Sequence, residues 1–396
     1  MAQSARAGSE RKFLPSLEGV RGFAFLLVFF RHCCDLSLSV PQNWPWCPVR
    51  VLLQLGWVTV PVFFVLSGFL ICGILIDTRE REGYFRVFYS RRLLRVVPLY
   101  YITLIGVGLV STMHGYSPGF QFWSHFLYIH NLFPSYASIY TTVPWKVMTH
   151  LWSMGVEEQF YLLWPLVVWI CPNRRILLRV TLILIAVSFA LRFLTAWMKV
   201  SVFFMYYWTP TRVDAILFGA VLAMIRGKAI YRWLESVAQY VLLGGICAIA
   251  LLTEVMKRPL LGTPLRAAYS ISLWNIMAAA VVIAVMREGS FLCRACSTRE
   301  IRWFGARSYG LYLFHATYLG WFYHSVFPFF AGFMPYKAAF LLVGAIALAL
   351  TLLLAAICYR WIEEPAMNLK KRFKYGKPKE SLSVQLPASV VLQERQ

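Results

Sequence analysis

The stretch GVRGFAFLLVFFRH, residues 19–32, is apolar enough to cross a membrane, yet it holds an arginine at Arg21 and a histidine at His32. Ionisable groups inside lipid are expensive, so their default reading is a functional one. The eleven steps from Arg21 to His32 cover roughly 16 Å of helix, about half of a ~30 Å hydrocarbon core. At about 100° per residue they also return to within about 20° of the starting direction, so the two side chains share a face. A cation near one surface, aligned with an imidazole near mid-depth, suits an anionic substrate at that surface and proton transfer deeper in.

The rest of the chain agrees with a membrane reading. Hydrophobic residues make up 59% and charged residues 14% of the sequence, and the mean hydropathy is +0.61, far from a soluble balance. The apolar runs predict an all-α polytopic membrane protein with ten transmembrane helices in one bundle. The spans fall at about 18–38, 51–76, 96–112, 150–171, 176–197, 211–225, 236–255, 268–287, 308–328 and 337–361. An aromatic piece at 119–133 is too brief to span and is expected to lie in the interface or re-enter. Residues 1–17 are a polar, basic tail without the apolar core and cleavage site of a signal peptide, so the first span is expected to stay as an anchor. Residues 18–366 read as one domain, and residues 367–396 as a basic, then polar, unstructured tail.

A formal charge of +22 invites a nucleic-acid partner, but its placement answers otherwise. Of the 39 lysines and arginines, 28 fall in segments on the side of the N-terminus and 8 in segments on the other side; Arg21, Arg31 and Arg192 lie within spans. That bias follows the positive-inside rule with both termini cytoplasmic. Topology in a cell (inner) membrane thus explains the charge without nucleic acid.

Several residues stand out against this apolar background. Ser67 and Gly68, in FFVLSGF (63–69), form a small notch that suits close helix approach or a thin acyl chain. Arg92 and Arg95 are three apart, so on a helix they make a phosphate-sized basic pair; a lipid-facing anchor is the plainer use. HLWSMGVEEQFYLLWP (150–165) puts Glu157 and Glu158 some 11–12 Å into a span, with Glu157 on the face of His150. A structural pairing of these carboxylates with Arg31 or Arg192 is the competing use. In SYGLYLFH (308–315), His315 lies about 10 Å from the inner surface, either in reach of a donor's reactive end or hydrogen-bonded to a neighbouring helix. Asp35 either orients His32 or caps its helix. His114, His125 and His130, with Trp123, Tyr128, Tyr136, Tyr140 and Trp145, suit either a sugar-binding mouth or an interfacial belt. Arg212 and Asp214 read as an ion pair to neighbouring helices. Cys293 and Cys296 form a lone pair without the further ligands that zinc needs, so no metal is expected.

Taken together, these segments resemble one family, the acyltransferase-3 membrane proteins that O-acylate surface and secreted glycans. The likeness rests on Arg21 with His32, on FFVLSGF, and on Arg92 and Arg95 with Pro98 and Tyr100. LWSMGVEEQFYLLWP (151–165) and SYGLYLFH complete it, and the set spans about 12 to 366. The resemblance implies a cytoplasmic acyl-CoA donor, used as substrate with no further cofactor, and a hydroxyl acceptor on a sugar at the outer side. It also implies His32 as the central catalytic group supported by Arg21, with Arg92 and Arg95 on the CoA phosphates. Some relatives carry a C-terminal hydrolase-like domain, and this sequence is expected to end before one. In the mechanism expected here, Glu157 or Glu158 stabilises or relays charge. Ser67, Gly68, His150 and His315 complete the donor and acceptor sites. Direct transfer and an acyl-histidine intermediate both fit. A proton-coupled carrier or flippase of a polar or lipid-linked solute draws on the same residue types and is the alternative.

Overall fold

The structure is a computed structural model and describes residues 15–36, 47–133, 145–255 and 260–377. The N-terminal tail up to residue 14, the 37–46 loop with Trp44 and Trp46, Tyr136 and Tyr140, and residues 378–396 of the C-terminal tail lie outside the described residues, as does the side chain of Asp35.

The described helices are, in chain order, α1 (Pro15–Leu36), α2 (Cys47–Thr78), α3 (Tyr84–Met113), α4 (Phe120–Phe126), α5 (Trp152–Ile170) and α6 (Arg174–Trp197). They continue with α7 (Val202–Tyr207), α8 (Val213–Ile225), α9 (Ala229–Ala250), α10 (Pro264–Met286), α11 (Phe291–Cys296) and α12 (Arg299–Ala306). The last are α13 (Ser308–Trp321), α14 (Phe327–Ala331), α15 (Tyr336–Cys358) and α16 (Glu364–Leu369). Each of the ten stretches read as a span coincides with one of these helices. By length and composition alone, six segments among the described residues qualify as membrane-crossing: Gln54–Thr78, Tyr84–Met113, Arg174–Trp197, Ala229–Thr253, Pro264–Met286 and Tyr336–Arg372. α8 is apolar but shorter. In α1 the cause is visible in the sequence, because Glu18, Arg21, Arg31 and Asp35 punctuate its apolar run. The chain is a multi-pass, all-helical membrane protein.

Burial sorts the helices into a centre and a rim. The α2 span is 78% buried, whereas those of α6 and α9 are 22% and 17% buried. The outward faces of α6 and α9 carry exposed Leu182, Ile183, Val187 and Leu243. Such a surface belongs against lipid tails, and the centre belongs to α2 with α1, α8 and α10 around it.

Close contact at that centre depends on glycine. A Cβ on Gly68 would overlap the carbonyl oxygen of Ile216 in α8, and one on Gly219 would overlap that of Val65 in α2. The two helices meet backbone to backbone through reciprocal glycines, so of the two uses the sequence offers for Gly68 the structure shows close helix approach. Backbone cannot step aside as a long side chain can. Gly68→Val should therefore cost at least ~1–3 kcal/mol through overpacking, read as loss of folded protein on detergent extraction.

The 119–133 segment buries one face in the protein and exposes Phe120, Trp123 and Leu127 on the other. Its α4 and the short turn His130–Leu132 bury Phe122, His125, His130 and Asn131. The imidazoles of His125 and His130 stack 4.0 Å apart. Asn131 Nδ2 donates to the carbonyl of Tyr207 and to Thr209 Oγ1 (2.9 and 2.8 Å), and Gln159 Nε2 donates to Asn131 Oδ1 (2.9 Å). A polar network of this kind satisfies irregular backbone held at membrane depth. It fixes the segment against α5 and does not build an open histidine-lined mouth.

Candidate active site

Five helices turn one face each towards a common cavity of about 100 Å³. α2 contributes Val60, Phe63, Phe64 and Ser67, a run at i, i+3, i+4 and i+7. Ser153, Glu157 and Tyr161 come from α5, every fourth residue, with Met154 and Glu158 beside them; α3 gives Arg92, Arg95 and Val96. Ser308, Tyr309 and Tyr312 belong to α13, and Arg21 is the contribution of α1. Two tyrosines of α3 fasten it to α5: Tyr84 donates to the carbonyl of Pro165 (3.0 Å) and Tyr89 to that of Leu162 (2.7 Å). Those bonds hold the arginine face of α3 towards the glutamate face of α5.

The cavity is polar at one end. Glu157 accepts from Ser67 Oγ (3.1 Å) and from the Tyr161 hydroxyl (2.9 Å). Its cationic neighbours are Arg92 and Arg21, while Glu158 faces the charges of Arg92 and Arg95. The Arg92 guanidinium lies 3.8 Å over the ring of Tyr161, a cation–π contact that leaves its planar edge for another partner. Neither glutamate is paired with Arg192, which is bound to Asp214 instead.

Beyond the other end stands a row of imidazoles. The rings of His32 and His315 lie 5.0 Å apart and those of His315 and His150 5.2 Å apart, although α1, α13 and the turn before α5 carry them separately. Phe25 of α1 packs edge-on against His315 (6.0 Å). Tyr312 joins the row to the cavity: its ring is 5.3 Å from His315, and its hydroxyl donates to the carbonyl of His150 (2.8 Å) and bonds to Ser153 Oγ (2.7 Å). His315 Nδ1 hydrogen-bonds the carbonyl of Tyr312 (2.7 Å), so Nδ1 carries the proton and Nε2 is left as an acceptor. That Nε2 is buried and has no hydrogen-bond partner among the described residues. Among the described residues no three His, Cys, Asp or Glu side chains are grouped to hold a metal ion.

Three helices order the cavity in the same sense. Along α1, Arg21 precedes His32 by eleven residues, and along α13, Ser308 precedes His315 by seven. Descending the segment into α5, His150 comes before Ser153, Glu157 and Tyr161. At ~1.5 Å per residue, each puts the histidines some 10–16 Å from the arginine end. The structure thus gathers Arg21, Arg92, Arg95, Ser67, Glu157 and Glu158 in one cavity, and His32, His150 and His315 in the row beyond it. Arg21 belongs to the arginine end and not to the surroundings of His32. Tyr312 and Ser153, which tie the two groups together, and Tyr161 at the arginine end were not singled out one by one in the sequence; they lie inside the quoted segments 151–165 and 308–315, at helical spacing from Glu157 and His315.

Comparison with known sequences decides the family. The family model for the acyltransferase domain, acyltransferase-3, matches residues 14–360. The chain belongs to the acyltransferase-3 family. Within that family, it is 25% identical to the peptidoglycan O-acetyltransferase OatA of Listeria monocytogenes over 92% of this chain and 58% of that protein. It is 27% identical to the O-acetyltransferase OatA of Staphylococcus aureus, over the same shares of each. The chain therefore spans little more than half the length of these curated relatives. No solved structure matches it. Every cavity and histidine-row residue named above lies within the span matched by the acyltransferase-3 family.

Proposed function

We propose that this acyltransferase-3 protein moves an acyl group, acetyl in the simplest case, from cytoplasmic acyl-CoA to a hydroxyl of a glycan on the far side of the membrane. The observation that carries the reading is the cavity itself, with three arginines at one end and a row of imidazoles beyond the other. Arginine suits the CoA phosphates because its planar fork donates two parallel hydrogen bonds. The O-acetyltransferase names of the relatives support acetyl as the group and a glycan as the acceptor.

In this mechanism Arg92, Arg95 and Arg21 hold the phosphates, and the narrow, uncharged pantetheine arm runs past Ser67 and Tyr312 towards the histidines. His32 takes the proton of the acceptor hydroxyl as its oxygen bonds to the thioester carbonyl carbon. The carbon–sulfur bond breaks, and the proton held on His32 passes to the departing thiolate. His315, its tautomer set by the Tyr312 carbonyl, keeps an unpartnered Nε2 beside His32, and this acceptor takes the His32 N–H and orients that ring once the substrates are bound. Glu157 and Glu158 balance the arginines so that the cavity does not trap the product CoA.

Purified protein in nanodiscs, given radiolabelled acetyl-CoA and a peptidoglycan fragment, should transfer label to the sugar. A carrier would transfer none and would instead move solute across vesicles. Arg92→Ala should raise the KM for acetyl-CoA about tenfold or more, the worth of one or two charge-assisted hydrogen bonds, with kcat much less affected. An unchanged KM would remove Arg92 from the donor site.

A further inference from the structure

The sequence reads Arg212 and Asp214 as ion-paired to neighbouring helices, and the structure provides such a partner for Asp214. Asp214 is bound by Arg192 and accepts from Asn275 Nδ2 (3.0 Å). Arg192 is further tied to the Thr211 carbonyl (3.1 Å) and to Ser272 Oγ (2.9 Å). Arg212 is 0% exposed, and none of its three side-chain nitrogens has a hydrogen-bond partner among the described residues. Two guanidiniums and one carboxylate leave a surplus positive charge in the protein interior. A buried guanidinium with no hydrogen bond of its own, sharing the one carboxylate of Asp214 with Arg192, is a costly arrangement for a protein to hold.

Its surroundings are aromatic. The guanidinium lies 4.8 Å from the ring centre of Tyr206 and 5.4 Å from that of Trp152. Contacts of this kind steady the face of the cation and make no use of its N–H edge. The aromatic cluster runs on: Trp57 stands edge-on to Tyr206 (5.3 Å) and stacks at 5.5 Å on Trp274, nearly parallel. Trp152 also packs edge-on against Phe64 (5.8 Å), which lines the cavity, and its chain neighbour Ser153 lines it too. One aromatic layer therefore separates Arg212 from the cavity. Arg212 precedes α8 at the end of the bundle that the proposed orientation turns outward, the side of the acceptor and not of CoA.

We propose that Arg212 is the recognition point for an oxyanion, a carboxylate or a phosphate, carried by the acceptor sugar. This rests on the acyltransferase reading for the idea that the outer side receives a glycan, and it narrows that acceptor to an acidic one. The anion's oxygens take the unpartnered N–H groups at the edge of the guanidinium, while the Trp152 and Tyr206 rings hold its face. Neutral sugars would leave the cation unanswered and would be rejected for that reason.

The test is binding, read apart from transfer. The full-length protein in lipid nanodiscs is titrated with methyl glucuronide, glucose 1-phosphate and methyl glucoside, and thermal stabilisation is followed. Wild-type protein should bind at least one of the two acidic sugars about tenfold or more tightly than the neutral one; which of the two wins distinguishes carboxylate from phosphate. Arg212→Gln should abolish that preference, and Arg212→Lys, which keeps the charge but loses the fork, should retain part of it. Binding of acetyl-CoA checks that each variant is folded, and if neither folds, the wild-type preference decides. Equal binding of acidic and neutral sugars by the wild type, or acidic-sugar binding undiminished in both variants, would overturn the proposal. A protein that prefers acidic sugars yet transfers nothing would sink the acyltransferase reading alone.

Discussion

Replacing His32 by alanine should lower acetyl transfer by about 10²–10⁴-fold, the usual worth of a positioned general base. Protein level and acetyl-CoA affinity should stay near wild type, because the ring lies beyond the arginine end, where the donor phosphates are held. The readout is label transferred per minute by equal amounts of purified protein. His315→Ala should cost less than His32→Ala, since a positioning partner shifts the population of the right ring orientation and carries no proton itself. The double variant should then be little worse than His32→Ala, as expected for residues that act as a unit. Transfer at the wild-type rate by His32→Ala would remove the imidazole from the chemistry.

The second large effect concerns stability. Arg192 and Asp214 form a buried ion pair whose side chains are 0% and 4% exposed. Removing one partner strands the other charge, a loss of about 3–5 kcal/mol. Arg192→Met and Asp214→Leu should each lower the thermal midpoint markedly in detergent. The double variant should recover much of the loss, because the net charge it leaves, that of Arg212, is no larger than the surplus the wild type already holds. If the two losses simply add, the pair is not coupled as the structure has it. Asp214→Leu is expected to be the harsher single change, as it leaves both Arg192 and Arg212 without a carboxylate.

The sequence revealed the architecture because lipid imposes a blunt rule. Runs such as the one through Val213–Ile225 admit only a helix, and every stretch read as a span is helical in the structure. Arg92 and Arg95 were also legible, since a spacing of three fixes neighbours on a helix whatever surrounds it. Partner choice was not. Ser67 donates to Glu157 across 90 residues, and no periodicity announces such a contact. Gly68 stayed ambiguous because a ligand notch and a helix crossing both ask for a missing Cβ; only the position of Ile216 tells them apart. Arg212 and Asp214 were legible as charges that need partners on neighbouring helices, but nothing in their spacing names those partners. Arg192, from another helix, took the carboxylate. Tyr312 stood in the quoted segment SYGLYLFH without a role of its own; its importance lies in standing between His150, His315 and the cavity, a fact of tertiary structure alone.

An electron cryo-microscopy structure with a non-cleavable thioether analogue of acetyl-CoA tests the central claim most directly. The phosphates should lie within hydrogen-bond reach of Arg92 and Arg95, with the arm threaded between α2 and α13 and the acyl carbon facing His32. Density for the analogue outside this cavity, or an acyl end pointing away from the histidine row, would contradict the account.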